Sequence, residues 1–270
     1  MISFRPRLAA SAALAGAMFA LLGPAAFAQD KVGKVEKKTY EFKDAKKDVE
    51  YALYVPAKYD KEKKWPLVVA LHGLGGNPQQ FMRTRGLTQQ AEKRGYVVVA
   101  PMGYNERGWY GAPAPKLGAK KDGPANLSEL SEKDVMNVLG IVKKEYSIDP
   151  DRVYLMGHSM GGGGTIHLAL KYPEEWAALA PIAPAIFGHQ PRELEKIKKT
   201  PVIMVQGAKD TLVRPERVRP WADEMKKLEM THDYVEVADG DHGNVVAPNV
   251  PKIFDFFDKH TRKGKGKEEK

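Results

Sequence analysis

Four nearly continuous apolar runs constrain this chain more than any other feature of it. They are PLVVALHG (66–73), YVVVAP (96–101), RVYLMGH (152–158) and PVIMVQG (201–207). Each is short, rich in β-branched residues and closed by glycine, proline or a polar residue. A strand with one wet face alternates apolar and polar residues. A strand buried on both faces does not, and such strands belong to parallel sheets covered by helices. Stretches of helical character lie between and after the runs, at 78–94, 128–146, 162–172 and 215–230. This alternation predicts βαβ units with right-handed crossovers, and so an α/β protein with a mostly parallel central sheet and helices on both faces. Upstream, segments 34–42 and 49–56 flank the polar KDAKKD and predict an N-terminal antiparallel hairpin.

The first 28 residues stand apart from this pattern. Arg5 and Arg7 precede an apolar run that ends in Ala26-Phe27-Ala28. That is the charge, apolar core and small-residue order of an export signal. Gly16, Gly23 and Pro24 interrupt the run, which argues against a spanning helix. The expectation is residues 1–28 as signal peptide, 29–260 as one catalytic-size domain and 261–270 as a disordered charged tail. The protein is then secreted or periplasmic, with no stable membrane insertion after cleavage. The formal charge of +9 falls to +3 once Arg5, Arg7 and the basic end from Lys259 onward are set aside. A nearly balanced body with scattered basic residues and no recognition motif predicts no nucleic-acid partner. The chain has no cysteine, which excludes disulfides and thiolate metal sites.

The run at 152–158 leads into GHSMGGGG, where Ser159 stands between Gly157 and Gly161. A strand that turns sharply into a helix can hold a serine hydroxyl clear of the sheet edge. The turn is too tight for side chains two residues to either side. A hydroxyl needs a base to become a nucleophile, and the base needs an acid to orient it. Asp210 follows the run at 201–207, and His242 follows the apolar segment at 234–237. All three thus sit past the carboxyl ends of strands, where ligands bind in parallel sheets. Ser159, Asp210 and His242 are the expected catalytic residues. The other histidines are weaker candidates for the base. His158 adjoins the serine but points elsewhere on the turn. His167 lies on the following helix, His189 and His232 lie in polar surroundings, and His72 holds its own loop.

The loop LHGLGGN (71–77) can aim backbone N–H groups at a developing oxyanion, the expected donors being the amides of Leu74 and Met160. Its glycines do not form G-x-G-x-x-G, and no spacing of histidines and acids suggests a metal. No cofactor or metal is expected. A Gly- and Pro-rich loop (103–126) follows the run at 96–101 and carries Tyr104, Trp109 and Tyr110, the expected substrate-binding residues.

H-G-x-G-G, G-H-S-M-G-G, Asp210 and His242 together resemble the α/β-hydrolases. VVALHGLGGNPQQF, DPDRVYLMGHSMGGGGT and YPEEWAALAPIAPA resemble secreted carboxylesterases of the polyhydroxybutyrate-depolymerase-like and feruloyl-esterase-like group. Prolyl-oligopeptidase catalytic domains share the signatures. The resemblance implies a serine carboxylesterase acting on a small-molecule or polymer-linked ester, with short-chain or aromatic, hydroxycinnamoyl-type acyl groups. The alternatives are a serine peptidase of the prolyl-oligopeptidase type and a non-catalytic binding protein on the same fold. No propeller-sized segment precedes the motifs, and the short, charged segment 185–199 leaves no room for a large lid.

Overall fold

The computed structural model describes residues 1–2, 33–113 and 124–262. Nearly all of the expected signal and of the expected tail, and the middle of the 103–126 loop, lie outside the described residues. The body is built on one eight-stranded sheet: β1 (Val35–Phe42), β2 (Lys47–Tyr54), β3 (Trp65–Leu71), β4 (Val97–Pro101), β5 (Ile148–His158), β6 (Ala178–Ile182), β7 (Val202–Gly207) and β8 (His232–Val237). Its spatial order is β1-β2-β4-β3-β5-β6-β7-β8. β1 and β2 form the expected hairpin, and β2 joins β4 antiparallel. Every later pairing is parallel.

The continuous apolar runs divide between two cores by simple alternation along each strand. Leu67, Val69, Leu71, Val153 and Leu155 face one side. There they meet α3 (Leu127–Glu145), α4 (Met160–Lys171) and α5 (Pro215–Lys227). Val68, Ala70, Val98, Tyr154 and Met156 face the other. Those pack on α1 (Pro78–Met82), α2 (Leu87–Arg94) and α6 (Val246–Asp258). The near-continuous apolar runs of these strands follow from this two-sided cover.

Three elements differ from expectation. The stretch 78–94 is two helices, because Gly86 adopts φ +93° between them and resets the chain direction. β6 and α6 were not anticipated. ALAPI is alanine-rich and holds a proline, and α6 contains Pro251, so neither has strong local preference. At the start of the expected tail, Thr261 and Arg262 are described. The Arg262 amide donates to the Asp151 carbonyl (2.8 Å) and its guanidinium lies 3.6 Å from the Asp151 carboxylate. Between β6 and β7 the connection holds only a 3-10 turn, Pro191–Ile197, pinned by buried Leu194 and Ile197.

Candidate active site

β5 ends at His158 and α4 begins at Met160, so Ser159 makes the entire turn. Its backbone sits at φ 58°, ψ −115°, which costs a non-glycine residue on the order of 1–3 kcal/mol and persists only where the surroundings impose it. The two flanking glycines are required by close approach. A Cβ on Gly157 would lie 2.2 Å from the Gly161 carbonyl oxygen, and one on Gly161 would lie 2.2 Å from the Leu71 carbonyl oxygen.

The strained turn delivers the Ser159 hydroxyl to an imidazole and a carboxylate. Ser159 Oγ is 2.8 Å from His242 Nε2, and His242 Nδ1 is 2.8 Å from Asp210 Oδ2. Asp210 is buried, and its charge is met on every side. Oδ1 accepts from the Leu212 and Val213 amides, each at 2.9 Å, and the Gln206 side chain approaches Oδ2 at 3.4 Å. With both backbone donors on Oδ1, Oδ2 is left to accept from His242 Nδ1–H, which frees Nε2 to accept the serine proton. The three expected residues are thus brought together in the expected order at the carboxyl edge of the sheet.

The loop after β3 closes the other side. A Cβ on Gly73 would lie 3.4 Å from the Ser159 Cβ, so this loop abuts the turn. Among the described residues the Leu74 and Met160 amides donate no hydrogen bond. Leu74 borders the same cavity as Ser159, and Met160 directly follows that serine, so both N–H groups are available as donors to a developing oxyanion. His72 holds the loop, its ring nitrogens 2.8 Å from the Gly73 carbonyl and 2.9 Å from the Met102 carbonyl.

His158 does not point away from the site. Its Nε2 donates to the His242 carbonyl at 2.6 Å, and the two rings stand 4.8 Å apart. Burial pushes the His158 ring down to about 4, with the nearby His242 adding to that push and the bond to the His242 carbonyl opposing it. His158 is therefore neutral above that pH and carries the hydrogen that holds the His242 loop. An unfolded histidine takes its proton near pH 6.5, so the unfolded chain gains protons first as pH falls. Stability is untouched above about pH 6.5 and is lost on descending through about pH 4. His158→Gln should flatten this part of the stability profile by about 3 kcal/mol, at roughly 1.4 kcal/mol per pKa unit. Denaturant midpoints of both proteins between pH 7 and pH 4 check it; parallel profiles would show that His158 does not control the loop.

The three expected aromatic residues separate. Trp109 lines a cavity of about 550 Å³ in front of Ser159, edge-on to Phe187 at 5.2 Å. Tyr110 is fully buried, with its hydroxyl on the His72 carbonyl (3.1 Å) and its amide on Ser131 Oγ (2.9 Å). Its ring fills the space beside Gly164, so it anchors the loop that carries Trp109 and does not line the cavity. Tyr104 lies against Phe42 and under the Lys47 ammonium (3.7 Å), outside the cavity. Both the Trp109 and Tyr110 rings are largely buried, and only packing decides which of them borders the cavity. The rest of the wall was not anticipated: Ile186 and Phe187 follow β6, and Leu212, Val213 and Arg217 follow Asp210. Among the described residues no group of histidines and acids could hold a metal, and no helix is long and apolar enough to cross a membrane.

A serine, an imidazole and a carboxylate in series at the carboxyl edge of a sheet of this topology define the α/β-hydrolase class. Residues 43–248 match the model of the Esterase family, and the chain belongs to that family. It is 30% identical over 146 residues to the S-formylglutathione hydrolase of Rattus norvegicus, covering 50% of this chain and 51% of that protein. It is 29% identical over 153 residues to feruloyl esterase B of Thermothelomyces thermophilus, covering 55% of this chain and 48% of that protein. The chain spans about half the length of these curated relatives. Among solved structures, a thermostable esterase superposes with a TM-score of 0.66 at 25% identity, covering 84% of this chain and 63% of that one.

Proposed function

We propose that this chain is a serine carboxylic ester hydrolase that works through an acyl-enzyme on short-chain or aromatic esters. The observation that carries the reading is the Ser159–His242–Asp210 chain, with both links at 2.8 Å beside two unpaired amides. Ser159 Oγ attacks the ester carbonyl carbon as its proton passes to His242 Nε2. The carbonyl oxygen becomes an oxyanion held by the Leu74 and Met160 amides. The carbon–oxygen bond to the alcohol then breaks, and His242 returns the proton to the leaving alkoxide. Water, deprotonated by His242, attacks the acyl-enzyme and releases the acid and free Ser159. Asp210 holds the imidazole tautomer throughout and offsets the charge of the imidazolium.

Acyl preference follows from the cavity. Its wall is mostly apolar, with Trp109 and Phe187 set for edge and face contact with a ring. The 3-10 turn between β6 and β7 supplies no cover for a long alkyl chain. Export to the periplasm or beyond is supported by the order of Arg5, Arg7, the apolar run and Ala26-Phe27-Ala28. A panel of soluble acetyl, butyryl, hydroxycinnamoyl and long-chain esters, with polyester film and aminoacyl amides, tests the whole reading. Soluble short and aromatic esters should turn over fastest; amides or triglyceride emulsions ahead of them would overturn it. Trp109→Ala should raise KM for a hydroxycinnamoyl ester by roughly three- to tenfold, the loss of one good aromatic contact, and change that for an acetyl ester less. Equal changes for both, with a lower melting temperature, would reduce Trp109 to packing.

A further inference from the structure

We propose that the natural ester carries a carboxylate on the arm that enters the large cavity, and that Arg217 selects it; the inference rests on the hydrolase reading above. Of the described residues that line this cavity, Arg217 alone bears a fixed charge. Its neighbours there are apolar: Pro184, Ile186, Phe187, Leu212 and Val213. Acids elsewhere on this surface are taken. Glu216 lies 3.7 Å from Arg219, which also holds Glu236, and Asp239 holds Lys209. Among the described residues the Arg217 side chain has no ion-pair or hydrogen-bond partner, although it shares the cavity wall with Leu212 and Val213.

Its position is also costly. Arg217 lies exposed in the first turn of α5 and Arg214 caps that helix, so two guanidinium groups, with Glu216 the only acid between them, sit at the end where the backbone dipole is already positive. Cations are disfavoured there and anions favoured. A substrate carboxylate would relieve both, with the planar guanidinium offering a two-pronged contact. Leu212 is 72% exposed and Leu74 43% exposed, two of only five exposed large apolar residues in the described structure. Both stand at the mouth of the same cavity. Exposed apolar surface beside a lone cation suits a substrate that is apolar near its ester and anionic at its end.

The test uses two matched pairs of chromogenic esters. The first sets 4-nitrophenyl hydrogen glutarate against its methyl ester, with the anion on the acyl arm. The second sets 3-acetoxybenzoate against its methyl ester, with the anion on the leaving arm. The full-length protein should favour the anionic member of one pair by roughly fivefold in kcat/KM, the upper range for a solvent-accessible ion pair. Raising sodium chloride from about 0.02 to about 0.5 M should erode that ratio. Arg217→Lys should keep part of the ratio, Arg217→Gln should bring it to about one, and Arg217→Glu should reverse it. A structural role for Arg217 would move both members of a pair alike and leave the ratio alone. No preference in either pair, or a preference that survives Arg217→Gln, overturns the inference while leaving the hydrolase reading intact. Failure to hydrolyse all four esters in a Ser159-dependent way would remove both.

Discussion

Ser159→Ala is expected to lower kcat on a soluble acetyl ester by about 10⁶, the loss typical when a triad serine is removed. Alanine keeps the Cβ at the same place, so the φ 58° turn carries the same strain and the packing of Gly157 and Gly161 around it is unchanged. Melting temperature should therefore stay within a few degrees of the wild type. Only the hydroxyl is gone, and no other serine or threonine hydroxyl is hydrogen-bonded to His242 among the described residues. The residual rate should come from the Leu74 and Met160 amides polarising a bound carbonyl for direct attack by water. Steady-state turnover of purified variant, with active-site titration to exclude a contaminating esterase, decides the matter. A rate within about tenfold of wild type would place the nucleophile elsewhere, given the loss a triad serine normally entails.

Asp210→Asn is expected to cost about 10⁴ in kcat, through the tautomer of His242 rather than through any loss of structure. Asp210 Oδ1 accepts two backbone amides, from Leu212 and Val213, while Oδ2 accepts from His242 Nδ1. An asparagine has one acceptor oxygen to place. Two N–H donors converge on the Oδ1 position, so the amide oxygen settles there and the NH₂ group faces the imidazole. His242 Nδ1 must then accept, its hydrogen moves to Nε2, and Nε2 can no longer take the Ser159 proton. KM should change little, because Asp210 is buried and does not line the cavity. A kcat near wild type would mean that the buried carboxylate only packs. A collapse of melting temperature along with kcat would mean that it holds the 210–213 loop instead.

How far the site can be read from the chain follows from these same residues. Ser159 and Asp210 lie 51 positions apart and Asp210 and His242 a further 32, yet each follows an apolar run, and in a parallel sheet every such run ends on one edge. The strand pattern therefore places them together before any contact is known. β6 could not be found this way. ALAPI takes its extended form from main-chain pairing with β5 and β7, which hold it from both sides. Gly86 likewise divides the 78–94 stretch through a positive φ that apolar spacing does not encode.

The cavity wall shows the opposite limit. Trp109 and Tyr110 are adjacent, aromatic and both at positive φ, but one lines the cavity and the other is locked between His72, Ser131 and Gly164. Arg217 is one of many basic residues in the chain, marked out only because the α5 terminus comes to rest beside the cavity. By itself the sequence determined the parallel α/β sheet, the glycine-framed serine and the order of acid and base. Those depend on burial on both strand faces and on connectivity, which local residue patterns record directly. The tertiary structure alone decided which loop side chains form the pocket, that His158 tethers the His242 carbonyl, and that Arg217 finds no partner among the described residues. Each of those depends on which surfaces meet across tens of residues, and packing between distant segments leaves no periodic trace in the chain.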